Sequence, residues 1–312
     1  MSTHSPVRIG ANDNGADKKA LFKELVQNMI ISKFESTTLM GANTHEIKNI
    51  SNGTGAEFKV FESSAEGKYH TAGNETTAGS ANFSKFLINV DDIFYERFDS
   101  YELDELMADY NAVNQLTTEA SQILVRNYEK NVFRTGILAS RHAGGTGRDA
   151  GTEIVAATAL TDGVVLAGAI YDMMAAMDEK NVPGERVVYV KPQQYYNLVQ
   201  NLDAINKDYG GMGSYADGKI LKIGGATIQS TNYLPQENVS GTFGNKYDGD
   251  FTNVAALVMT KEAVGTVNLR DVRVDMEERP LHFGDTVQAS YVKGHGVLKP
   301  ACAGTIVTTA TV

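Results

Sequence analysis

Residues Ala263–Val307 read AVGTVNLRDVRVDMEERPLHFGDTVQASYVKGHGVLKPACAGTIV. Together with Val254–Met259 just before it, this stretch is mostly strand: the pattern predicts extended segments at Thr266–Met276, Asp285–Lys293 and Thr305–Thr309. Gly294 and Gly296 flank His295, and paired glycines around one residue predict a tight turn with positive φ. A catalytic histidine is the weaker reading, because it needs a nucleophile and an orienting group that sequence separation does not supply. The adjacent carboxylates Glu277 and Glu278, like Asp91 and Asp92, point to opposite faces of a strand and make poor acid/base pairs.

Upstream, strands and helices alternate. Residues Asp162–Lys180 carry Val165, Ile170, Met173, Met174 and Met177 at helical spacing, with Thr161 as the expected cap. The three methionines read as core or interface filler. Arg186–Val190 is a short β-branched strand, and Pro192 opens a further helix. Lys219–Ile223 and Ala226–Ser230 read as strands. Asp99 and Glu102 have capping-box spacing, which predicts a helix running from Asp99 to Gly136, about 50 Å long. A shorter amphipathic helix is expected over residues 18–32. Helices and strands are partly segregated, so the fold class is α+β.

Residues 50–93 behave differently. Ala56, Phe58 and Val60 alternate with Glu57, Lys59 and Phe61, a strand with one apolar face, and a second strand is expected at Ser84–Val90. Between them lie about twenty small and polar residues with almost nothing to bury, a length uncommon inside a compact domain unless functional or supported by a partner. The reading is a long two-stranded arm. Residues 1–17, rich in Ser, Asn, Gly and Asp, have no core of their own and order only when something else holds them. A neighbouring copy is the simplest candidate.

The 312 residues, 42% hydrophobic and 21% charged, are enough for a sizeable core. No run approaches the roughly 18 apolar residues of a membrane helix, and the first residues lack the apolar stretch of a secretory signal. The formal charge of −10 should repel phosphate backbones, which disfavours sequence-reading nucleic-acid binders. It suits a solvated surface, or a lining past which packed DNA slides. Cys302 is the single cysteine, so paired-thiolate zinc sites and intrachain disulfides are excluded. The six histidines, His4, His45, His70, His142, His282 and His295, show no i, i+4 pair. Gly145–Ala150 fits G-x-G-x-x-A, but a helix precedes it where a dinucleotide fingerprint needs a strand, so it reads as a connector. No cofactor, metal or catalytic group is expected.

The carboxy-terminal stretch resembles the end of the major capsid proteins of short-tailed, autographivirus-type phages, a branch of the HK97-fold shell proteins. The resemblance rests on Ala263-Val264-Gly265-Thr266-Val267, Leu269-Arg270-Asp271, Tyr291, Gly294-His295-Gly296, Leu298, Pro300 and Ala303-Gly304. Further matches are Ile50-Ser51, Gly53, Ala56 and Phe58, then Asn181-Val182-Pro183, Arg186-Val187, Tyr189, Pro192 and Tyr195. Residues 62–83 and 235–250 show no match. The resemblance implies an amino-terminal arm (1–48), an extended loop (49–94), a peripheral domain with a spine helix (95–150), an axial domain (151–261) and a return to the peripheral domain (262–312). It implies a structural protein, not an enzyme, that self-assembles into the pentamers and hexamers of an icosahedral phage head around double-stranded DNA. Scaffolding protein and portal are the implied partners, with no membrane; assembly is in the host cytoplasm and the destination is the virion capsid. Phe58, Val60, Phe61, Phe86 and Ile88 are the expected anchors of the arm on a neighbouring subunit. The alternatives are an encapsulin-like cellular shell and, remotely, a nicotinamide-dependent enzyme resting on residues 145–150.

Overall fold

The computed structural model describes residues 20–41, 44–62, 69–70, 82–101, 112–145, 149–200, 222–241, 243–279, 281 and 283–310. The expectations for residues 1–17, for most of the loop tip and for the start of the 219–223 strand lie outside the described residues. Helix α1 (Ala20–Thr37) is followed by strands β1 (Glu46–Asn49), β2 (Gly55–Glu62), β3 (Asn82–Asn89) and β4 (Phe94–Tyr101). Helix α2 (Ala112–Ser140) precedes β5 (Thr152–Val155), α3 (Gly163–Glu179), β6 (Val187–Val190) and α4 (Pro192–Gln200). The remaining strands are β7 (Lys222–Ile223), β8 (Ala226–Ser230), β9 (Asn238–Val239), β10 (Gly249–Asp250), β11 (Val254–Met259), β12 (Val264–Arg279), β13 (Gly284–Val297) and β14 (Ala303–Val307).

The helix start expected at Asp99 is overturned. Asp99 lies within β4, opposite Thr286 of β13, and its Oδ1 accepts a 2.5 Å hydrogen bond from Thr286 Oγ1. Eight consecutive residue pairs join β4 to β13. The segment FYERFDSY also alternates, with Tyr95, Arg97 and Asp99 exposed and Phe94 and Phe98 half-buried; that period of two outweighs a two-residue capping signal. Nor does the long helix stop at Gly136. It continues to Ser140, because a Cβ at Gly136 would lie only 3.1 Å from Leu257 Cδ2, and glycine is what lets the helix lie so close to β11.

Contacts divide the chain into two compact units. The first comprises the residues up to Gly41, Asp91–Glu129 and Leu269–Lys293; the second comprises Ala42–Val90, Lys130–Asn268 and Gly294–Val312. In the first unit, Val26, Ile30 and Phe34 of α1 and Leu124, Val125 and Tyr128 of α2 are buried, and the Phe34 and Tyr128 rings meet edge to face at 6.0 Å.

The second unit is built on a six-stranded mixed sheet in the order β5-β14-β11-β6-β8-β7. All six residues of β11 and all five of β14 are buried, which is the continuous apolar run expected of central strands. Residues 303–307, assigned from the resemblance to the returning segment, therefore join the sheet of the 151–261 segment, antiparallel to β11 and parallel to β5. Helix α3 buries Leu166, Ile170, Met173 and Met177, each adding roughly 2 kcal/mol by removal from water. Its cap is Asp162, not the expected Thr161. The Asp162 backbone is extended and its Oδ1 accepts from the Val164 N–H at 2.8 Å, the bond that satisfies one orphan donor of the first turn. Asn181, in the left-handed region at φ +51, turns the chain out after the last turn of α3, a conformation asparagine tolerates better than most residues. In the same unit β1 runs parallel to β12, and β2 and β3 form an antiparallel hairpin.

Candidate assembly interface

The β2–β3 hairpin pairs Gly55 with Asn89, Ala56 with Ile88, Phe58 with Phe86 and Glu62 with Asn82. This register places Ala56, Phe58, Phe86 and Ile88 on one face and Glu57, Lys59, Lys85 and Leu87 on the other. On the first face Ala56 and Ile88 are buried with Val267 and Leu298, and Ile50, Phe58, Phe86 and Val90 pack around them. The second face is solvated: Lys85 Nζ lies 3.6 Å from Glu57 Oε2 with both side chains exposed, a pair of small energetic weight.

The turn expected at Gly294, His295 and Gly296 is overturned. All three residues lie inside β13, and neither glycine has positive φ. Their small size serves close approach. A Cβ on Gly294 would sit 2.3 Å from the Asn89 carbonyl oxygen, and one on Gly296 would sit 2.8 Å from Ile88 Cγ1. These distances are well inside van der Waals contact, so β13 can lie against the hairpin root only without side chains at both positions. His295 is buried between them. Its Nδ1 is 2.8 Å from Thr266 Oγ1, and its backbone N–H donates to the Tyr247 hydroxyl at 3.1 Å. The adjacent Lys246 donates from Nζ to the Asn89 carbonyl at 2.9 Å. The root is thus gripped by a shape match and by a hydrogen bond from Lys246 to the hairpin's own backbone.

This placement changes the role of the expected anchors. Ile88 is 4% exposed and Val60 6% exposed, so the expectation that these two anchor the arm on a neighbour is corrected: both are already out of water within the chain itself. Phe58 and Phe86 are half-buried, and the Phe61 side chain lies outside the described residues. The sequence reading missed Leu87, which is 63% exposed on the charged face. Its signal was available, since Phe86-Leu87-Ile88 breaks the alternation with an apolar residue where a polar one belongs. Leu281 and Phe283, 92% and 74% exposed beside the turn between β12 and β13, were also missed.

The first unit holds a cation site that no motif announced. Lys293 Nζ lies 5.3, 5.0 and 6.0 Å from the ring centres of Phe34, Tyr128 and Tyr291, and 3.0 Å from Asp271 Oδ1. Tyr291 in turn accepts from Asn127 Nδ2 at 2.8 Å, and burial pushes its hydroxyl pKa far above the usual range. The ammonium is desolvated on three sides by ring faces, where cation–π attraction is strongest.

Other motifs carry no chemistry that the geometry supports. Gly145–Ala150 stands between α2 and β5, a helix before and a strand after, the reverse of a dinucleotide site. Met173, Met174 and Met177 are buried in the core. Among the described residues no three His, Cys, Asp or Glu side chains converge on a metal position, and no helix is long and apolar enough to cross a membrane.

Comparison with known proteins agrees with this architecture. A family model described as Gp10A-like, major capsid protein, matches residues 58–307. The major capsid protein of Escherichia phage T7 is 25% identical, with 93% of this chain and 92% of that protein aligned. The capsid structure of the cyanophage P-SCSP1u superposes with a TM-score of 0.76 at 30% identity, covering 98% of this chain and 99% of that one. The mature capsid of bacteriophage PhiM1 shares the fold at a TM-score of 0.71 and 16% identity, over 86% of each chain. These matches set aside the encapsulin-type shell and the nicotinamide-dependent enzyme, and the fold is the α+β HK97 type. A family match over four fifths of the sequence, joined to a hairpin rooted on glycine-lined strands, establishes that this chain belongs to the Gp10A-like major capsid proteins and is a self-associating structural component of a phage shell.

Proposed function

We propose that copies of this chain form the pentamers and hexamers of an icosahedral head that encloses double-stranded DNA, assembled in the host cytoplasm with a scaffolding protein and a portal. In this reading residues 1–48 are the amino-terminal arm, 49–94 the extended loop, 95–150 the peripheral domain, 151–261 the axial domain and 262–312 the return, whose last strand, β14, is paired into the sheet of the 151–261 segment. The observation that carries it is the hairpin. Its inner face is filled at the root, while Leu87 on its outer face remains in water, as do Leu281 and Phe283 elsewhere. Apolar side chains this exposed are available for burial against a neighbour, and a shell protein meets chiefly its own copies. Phe58, Phe61 and Phe86 remain the proposed anchors of the arm; Phe58 and Phe86 are only half-buried where they leave the root, and a neighbour completes burial that the strand pair does not supply.

Negative-stain imaging and size-exclusion chromatography of the full chain, co-expressed with its scaffolding protein, test the reading. Closed particles are expected, and a species no larger than a dimer overturns it. Phe58→Glu is expected to give folded subunits that do not close; shells of normal yield and size reject that anchor.

A further inference from the structure

Glu129, on α2 within the first unit, is fully buried. Its Oε1 accepts from two consecutive backbone amides, Leu39 N–H and, at 3.2 Å, Met40 N–H. These amides lie just past the end of α1, where Thr38 already returns both its N–H and its hydroxyl to the Phe34 carbonyl, at 3.1 and 2.7 Å. The second carboxyl oxygen, Oε2, is buried with no hydrogen-bond partner. No cation compensates it among the described residues. On α1, Lys33 is bonded to Thr118 and Glu35 is exposed. On β13, Lys293 is held by Asp271 and the aromatic rings. On α2 itself, Arg126 is exposed and Lys130 faces Glu237.

A buried carboxylate with one oxygen unpaired and no counter-charge is costly, whereas the neutral acid keeps Oε1 as an acceptor and removes the charge. We propose that Glu129 is a proton-dependent clasp: uncharged, it holds the chain leaving α1 against the long helix, and on ionisation it releases that segment. Burial raises the Glu129 pKa, opposed only by the two amides. The sign follows. A carboxyl whose pKa is higher in the fold than in the unfolded chain contributes stability below the ordinary glutamate range, and that contribution is lost as pH rises through the raised value. The clasp therefore loosens toward higher pH, the reverse of an ordinary surface glutamate. Leu39 and Met40 follow the carboxy-terminal end of α1 and fall within the arm proposed for residues 1–48, so the clasp governs how firmly that part of the arm is held to its own subunit.

Hydrogen exchange of assembled particles, read on the peptide covering residues 34–41 and corrected for the intrinsic pH dependence of exchange, tests this. Between about pH 5 and about pH 8, protection in the wild type is expected to fall by about tenfold or more, while Glu129→Gln stays flat. Equal behaviour of the two proteins, or protection that rises with pH in the wild type, overturns the proposal. Should Glu129→Gln fail to fold, infrared spectra of the wild type decide: a buried carboxylic-acid band that persists above the ordinary glutamate range and disappears at higher pH is expected, and its absence overturns the clasp.

Discussion

The hairpin root in the second unit and the α1–α2–β13 junction in the first are held in opposite ways. At the root, Ile88 enters a space lined by Leu298, Val267 and the bare backbone of Gly296; what fixes it is volume, and the critical residues are those without side chains. At the junction, Lys293 sits against three rings and Glu129 against two amides; what fixes it is titratable groups placed out of water, a charged ammonium and an uncharged carboxyl. A site fixed by volume is indifferent to pH and salt but intolerant of a single methyl group. A site fixed by buried titratable groups accommodates changes of size yet responds to protons.

This contrast can be attacked at its strongest point first. Gly294→Val places a branched side chain where the Asn89 carbonyl lies 2.3 Å from the Cβ position, and because that neighbour is backbone, a loss of about 3 kcal/mol or more is expected. A denaturation midpoint equal to the wild type would show that the root is not packed by shape. Ile88→Ala removes the inserted side chain itself and is expected to cost about 3 kcal/mol, independent of salt concentration; a marked salt dependence would put the root in the same class as the junction.

At the junction, Lys293→Met keeps the length of the side chain while deleting its charge. The expected loss is about 1 to 2 kcal/mol, measured as a shift in chemical denaturation, and a shift as large as that of Ile88→Ala would erase the distinction. Asp99 offers a gentler test in the first unit. The Thr286 hydrogen bond, then Arg97 and Arg279, hold its carboxyl below the usual range, so its contribution is present above the ordinary aspartate pKa and lost as pH falls through the lowered value. Asp99→Asn should flatten the acid limb of the stability profile, and an unchanged limb would remove Asp99 from the account. The smallest effect belongs to Lys85→Ala, where an exposed ion pair with Glu57 is expected to matter by no more than about 0.5 kcal/mol; a larger change in thermal midpoint would mean the outer face of the hairpin is already partnered.

Much of this architecture was legible in the residues. The alternation at Ala56, Phe58 and Val60 marked β2, Pro192 marked the start of α4, and the methionine spacing marked the buried side of α3. The failures share one cause. Asp99 with Glu102, Thr161, and the Gly294–Gly296 pair each carry a local signal of real strength, and in each case a distant or neighbouring partner overrode it: β13 claimed Asp99, Asp162 took the cap, and Asn89 and Ile88 needed the space left by the glycines. Local preferences are worth a kilocalorie or less each, and a ladder of eight residue pairs exceeds them.

The amino-acid order alone determined the class of fold, the family, and the two-faced character of the hairpin, because periodicity and motif spacing are properties of the chain. Only the tertiary structure decided which way that hairpin is already satisfied, and which charges are buried. Both depend on residues far apart in the chain, such as Glu129 with Leu39 or Ile88 with Leu298, meeting at distances over which hydration is lost, and no local pattern records which pairs those will be.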